Sequence, residues 1–126
     1  MKWFVILLIA ILVTIGSMLP ISGYFARRGL AKPTSSWAPT AVQVAGRVRM
    51  FAGRYQAAAD LWQLGYTTWP THPDAPKMYF RRAFCLEKMK RPAEARVAYE
   101  AYLTRYPKHL WSDQARRRIG NLDVSD

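Results

Sequence analysis

Between Trp3 and Phe25 the chain carries no charged side chain and is almost wholly apolar. About 23 residues at roughly 1.5 Å each make about 34 Å of helix, enough to cross a hydrocarbon core of about 30 Å. Trp3 and Phe4 stand at one end and Tyr24 and Phe25 at the other, where aromatic rings favour headgroup level. Pro20 falls in the last turns, where a membrane helix tolerates a kink. A cleaved signal peptide would want small residues before the cut, yet Ile21-Ser22-Gly23 and Tyr24-Phe25-Ala26 put bulky ones there. No small-residue run leads into the single cysteine as a lipoprotein signal requires. Residues 1–28 therefore read as a single transmembrane anchor in the lipid bilayer of a bacterial inner membrane. Lys2 and the α-amine lie on one side of it, and Arg27, Arg28 and Lys32 on the other. The positive-inside rule puts the C-terminal part of the chain on the cytoplasmic side. Single-span chains that open Met-Lys-apolar commonly export their C-terminal part, so the periplasmic side stays open.

The remainder, roughly 90 residues, suffices for one small domain with a modest core. Its charge is lopsided: the chain has 19 Lys and Arg against 8 Asp and Glu, a net +11. A basic surface favours anionic headgroups, an acidic protein or nucleic acid. The last has no recognised motif here and is the least expected. One cysteine, Cys85, forms no internal disulfide.

Gly29 to Pro39 holds Gly, Pro and Ser without an apolar period and reads as an extended linker. A helical domain then spans residues 40–122, with a tail at 123–126. A shift of 37 residues lays Gly46 on Ala83, Ala58 on Ala95, Trp62 on Tyr99 and Pro70 on Pro107. It also lays Trp69-Pro70-Thr71-His72 on Tyr106-Pro107-Lys108-His109. Each unit reads as two helices. The first helix presents Val42, Ala45, Val48 and Phe51 before Gly53 breaks it. In the second unit, Pro92 suits the first position of a helix and Glu94 favours its positive end. Ser112 is placed to cap a final helix, which opens a third, truncated unit.

These residues resemble the tetratricopeptide repeat, a pair of antiparallel helices of about 34 residues. Gly46 and Ala83 match the small residue where the helices cross. Gly53-Arg54-Tyr55-Gln56-Ala57-Ala58 matches the turn pattern, of which the second unit keeps only Ala95. Trp62 and Tyr99 match the following aromatic, and Pro70 and Pro107 the terminal proline. Gly65 meets the small residue late in the second helix and Tyr102 does not; Tyr79 meets the early aromatic and Val42 does not. The resemblance implies an all-α array of about two repeats and a capping helix. Gly46, Ala58, Trp62, Pro70, Ala83, Ala95, Tyr99 and Pro107 would form its repeat core. It implies a concave groove lined by Gln43, Arg47, Lys77, Phe80, Phe84 and Lys88, although Phe80 and Phe84 also suit a core.

Two units fall short of the three usually needed for independent stability. A second copy, another protein or the membrane surface should cover an open end. Arg27, Arg28, Arg116, Arg117 and Arg118 are the candidate contacts to headgroups or an acidic partner. The expected function is a scaffold or adaptor, or an accessory subunit of a larger membrane complex; a transient assembly factor for envelope components is the near alternative. The different-class reading is an enzyme or metal protein using His72 and His109, but repeat copying explains their equivalent positions more simply. No phosphate loop, HExxH motif or cofactor signature is present, so neither catalysis nor a cofactor is expected.

Overall fold

The computed structural model describes residues 1–124, the side chain of Val124 excepted. These residues form six helices and no strand: α1 Lys2–Ala31, α2 Ala38–Phe51, α3 Tyr55–Thr68, α4 Ala75–Lys88, α5 Pro92–Arg105 and α6 Ser112–Val124. Of the tail expected at 123–126, the first two residues extend α6 and residues 125–126 lie outside the described residues. α1 is long and apolar enough to cross a membrane, and its central apolar window is unburied. Each helix packs mainly on its neighbours in chain order. That is the contact pattern of a quasi-one-dimensional stack, in which every element depends on the next for cover.

The 37-residue shift governs the backbone. α2 to α5 each have 14 residues, and α4, α5 and the start of α6 fall 37 residues after α2, α3 and the start of α4. The turns copy one another bond for bond. Arg54 N donates to Arg49 O as Arg91 N donates to Leu86 O, and Trp69 N to Gly65 O as Tyr106 N to Tyr102 O.

The same turn occurs a third time, at the end of α1. Lys32 N donates to Arg28 O, and Ala38 N to Ser35 O, as Ala75 N does to His72 O and Ser112 N to His109 O. Lys32-Pro33 thus stands where Trp69-Pro70 and Tyr106-Pro107 stand. The extended linker expected over 29–39 narrows to residues 32–37, because α1 continues through Ala31 and α2 begins at Ala38 with Pro39 in its first turn. Trp69 Nε1 donates to Pro33 O at 2.9 Å, tying this turn to the next. Ser22, Gly23, Ala26 and Gly29 are buried. A Cβ on Gly29 would lie 3.2 Å from the Ala38 Cα, so glycine sets the spacing of α1 and α2 there. The last three turns of α1 therefore belong to the array.

Packing centres on three large buried rings. Trp62 is fully buried with Ala58, Ala59, Met78 and Cys85. Its ring stands 2.6 Å from where a Gly46 Cβ would be. Tyr99 and Tyr102 are buried with Phe80, Ala83, Ala95 and Ala98. Pro70 and Pro107 are exposed, so they end the helices from outside the core they were expected to join. Phe51 is also exposed, not part of the apolar face of α2. Ser112 is the first residue of α6, and its hydroxyl donates to Tyr106 O at 2.6 Å instead of capping the helix.

The tight turn between paired helices needs positive φ at one residue. Gly53 supplies it at φ 76°, but Lys90 adopts φ 60° at the equivalent place. A side chain in the left-handed region costs roughly 1–2 kcal/mol relative to glycine. Lys90→Gly is therefore expected to stabilise the protein by about 1 kcal/mol, after the added flexibility of unfolded glycine is counted. Gly53→Ala should lower stability by a similar amount, and thermal melts of the two variants check the opposite signs.

Candidate partner-binding groove

α2, α4 and α6 line one side of the stack, and the side chains between them form a groove with an apolar floor and a cationic rim. Phe80, Phe84, Met50 and Trp111 supply the floor, and Arg81, Gln114 and Arg118 the walls, of a cavity of about 260 Å³. The Phe80 and Trp111 rings meet at 5.1 Å. Phe80 also packs on Tyr99 and Tyr102 inside the core, so it joins groove and core. Two cations lie against Phe84: Arg118 is 4.9 Å and Lys88 5.2 Å from its ring. Such contacts hold a cation over an apolar surface while leaving its donors available.

Polar side chains lock the upper end. Gln43 Nε2 donates to Asp74 Oδ2 at 2.6 Å, and Arg81 Nη1 donates to Gln43 Oε1 at 3.3 Å. Arg81 lies between the Trp62 and Trp111 rings, 5.3 and 5.5 Å from their centroids. Burial, then the nearby charge of Arg47, pulls its guanidinium below the usual range, with Asp74 opposing. Lys77 pairs with Asp74 at 3.7 Å. At the lower end, Glu87 Oε2 accepts from Arg118 Nη1 at 2.9 Å and from Tyr99 Oη at 2.7 Å. Arg118 Nε is buried with no hydrogen-bond partner among the described residues. Asp74 and Glu87 are thus engaged within the protein, while Arg47 and Lys88 stand exposed at the rim. The groove is a cationic trough over aromatic carbon, suited to a segment carrying both carboxylates and an apolar side chain.

All six groove residues expected from the sequence lie on α2 and α4, with Phe80 largely in the core. Of the six, Phe80 and Phe84 line the cavity; Met50, Arg81, Trp111 and Gln114 line it too and were not among them. The 37-residue shift itself carries the missing signal: Lys77 falls on Gln114 and Arg81 on Arg118. Arg118, expected at a membrane or partner surface, lies in the groove. Arg116 pairs with Asp113 at 2.7 Å and donates to Pro107 O at 2.9 Å, and Arg117 is exposed. Arg27 and Arg28 belong to α1, at the other end of the helix order, so the five arginines do not form one patch.

The two histidines serve their own turns. His72 Nδ1 accepts from Asp74 N at 3.1 Å, and His109 Nδ1 accepts from Trp111 N at 3.4 Å and lies 2.6 Å from Tyr102 Oη. Burial, then Lys77, pulls the His109 pKa down. Among the described residues no three His, Cys, Asp or Glu side chains gather as a metal would need. Burial pushes the Cys85 thiol up to about 11, so little reactive thiolate forms at neutral pH.

Removing one partner from the Glu87 cluster tests its role. Glu87→Gln keeps the shape but removes the charge that two donors share. The partial exposure of Arg118 and Glu87, 27% and 23%, limits the expected loss to about 1–2 kcal/mol. Tyr99→Phe should cost about 1.5 kcal/mol, since the one bond that goes is the charge-assisted one from its hydroxyl to the Glu87 carboxylate. Denaturant unfolding of both variants measures the losses.

No family model matches this sequence, and no curated protein matches it.

Proposed function

We propose that this chain is a membrane-anchored interaction module: α1 spans the bilayer, and a short tetratricopeptide-like array holds a protein partner in the α2/α4/α6 groove. The observation that carries the reading is the groove itself. Its aromatic floor is open, its acidic residues are engaged internally, and its rim cations Arg47 and Lys88 are exposed. The 37-residue recurrence of helices and turns supports the repeat assignment, as does the fit of Trp62 over Gly46. The length and apolarity of α1 support the span. The chemistry of the groove fits an acidic peptide segment with one apolar anchor, and the role is that of an adaptor without catalysis of its own.

A second reading, an accessory subunit built permanently into a larger membrane complex, draws on apolar side chains away from the groove. Leu110 is 81% and Val97 65% exposed. Val97 borders a shallow cavity with Leu86 and Ala98 on the α4–α5 side. A photo-crosslinking residue placed at Gln114 or at Val97 in intact membranes separates the two. Crosslinks from position 114 alone fit the adaptor. Equal crosslinks from both positions to fixed companions fit the built-in subunit. Labelling of lipid or solvent alone from position 114 contradicts a groove partner.

A further inference from the structure

Arg27, Arg49 and Arg54 converge on one crevice between α1 and the α2–α3 turn, a cavity of about 400 Å³. Gly16 and Gly23 open its α1 wall by presenting no side chain, and Leu19 also lines it. The ion pairs among the described residues lie elsewhere. Arg49 is half-buried; burial, then the charges of Arg27 and Arg54, pulls its guanidinium below the usual range. Like charges held together without a carboxylate create a site that an anion relieves. Guanidinium forks match phosphate oxygens two at a time.

The depth of the crevice identifies the anion. Trp3 to Leu19 would span about 26 Å of helix, close to the thickness of a hydrocarbon core. At that level Ile15, Met18 and Leu19 meet Val48, Phe51 and Ala52 around an apolar cleft of about 230 Å³. Phe51 projects from the end of α2, 82% exposed, where only acyl chains would cover it. Leu19 borders both cavities. The arginines therefore stand beside the point where apolar cover begins, which is headgroup depth.

We propose that this crevice binds the phosphate of an anionic phospholipid, held by Arg49 and Arg54 and closed by Arg27. The inference rests on the reading of α1 as a membrane span. The bound lipid would fix the array against the membrane surface, supplementing the packing of α1 on α2.

The test uses full-length protein extracted in mild detergent, with native mass spectrometry and titration with phosphatidylglycerol. One retained anionic phospholipid per chain is expected for the natural sequence. Arg49→Gln with Arg54→Gln should weaken binding about 25-fold, about fivefold for each charge lost near a lipid surface. Arg116→Gln with Arg117→Gln, equally basic but remote from α1, should bind as the parent does. Arg54→Gln alone, at an exposed position, should give about the fivefold step even if the paired variant folds poorly. Equal retention by all variants would overturn the site. Inorganic phosphate displacing the lipid at matched concentration would overturn the lipid as its source. Alkaline carbonate extraction of the same membranes separates the two readings: release of the chain refutes the span, whereas a chain that stays in the membrane but binds no lipid refutes the crevice alone.

Discussion

Replacing Trp62 with alanine is expected to cost about 3–5 kcal/mol, the range for emptying a buried aromatic site. The ring is fully buried and joins three helices: it sits on α3, lies against Gly46 of α2 and packs with Met78 and Cys85 of α4. A domain of this size has roughly 5–13 kcal/mol of stability in total, so the variant should melt far below the parent. Gly46 supplies the internal control. Its absent Cβ would stand 2.6 Å from the nearest atoms of the indole, so Gly46→Leu should clash in the natural protein. In the Trp62→Ala background the same leucine enters the vacated space and should recover part of the loss. Opposite signs for one substitution in two backgrounds would give a coupling energy of about 1–3 kcal/mol. Additive losses would mean that the two residues do not share the contact.

The second large effect concerns α1. Removal of residues 1–21 should release the protein from membranes yet leave the array folded, because the buried residues of α1 begin at Ser22. Removal of residues 1–31 should do far more damage. Val42, Ala45 and Leu61 are buried in one cluster with Ala26, and Leu30 packs against it. Stripping α1 uncovers that cluster, and exposing a valine and a leucine side chain costs roughly 1.5–3 kcal/mol each. The longer truncation should therefore fall several kcal/mol below the shorter one and approach unfolding at room temperature. Circular dichroism melts of the two fragments decide it. Equal melting temperatures would mean that α1 contributes nothing to the array.

That division of α1 was not visible in the sequence. Its apolar side chains read as membrane-facing from Trp3 to Phe25, and nothing in composition tells a lipid-facing turn from one that packs on protein. The clue lay beyond the run, where Lys32-Pro33-Thr34 copies Trp69-Pro70-Thr71 at the same 37-residue step. The helix pairs themselves were legible because Gly46, Trp62 and Pro70 recur as Ala83, Tyr99 and Pro107. Phe51 was misplaced for a geometric reason. Positions 42, 45, 48 and 51 advance by three, each step falls about 60° short of a full turn, and Phe51 ends on the face opposite Val42. Of the residues lining the groove cavity, only Phe80 and Phe84, both on α4, were among the expected groove residues. The α6 half was missed because the third unit has few apolar residues and reads as a solvated cap, although Gln114 and Arg118 occupy the positions of Lys77 and Arg81. The arginine crevice was obscured because Arg27 is separated from Arg49 and Arg54 in sequence, and only the packing of α1 on α2 brings them together.

On the proposed function, a protein partner sits in this groove while α1 holds the chain at the membrane. The most direct test compares full-length protein with an Arg47→Glu, Lys88→Glu variant, both changes being at exposed rim positions. Each is extracted in mild detergent, sized, and its co-migrating chains quantified. A companion protein at a reproducible ratio is expected with the natural sequence, and its loss from the variant, with membrane retention unchanged. A chain that migrates alone, or a companion that stays with the variant at full ratio, would contradict the proposal.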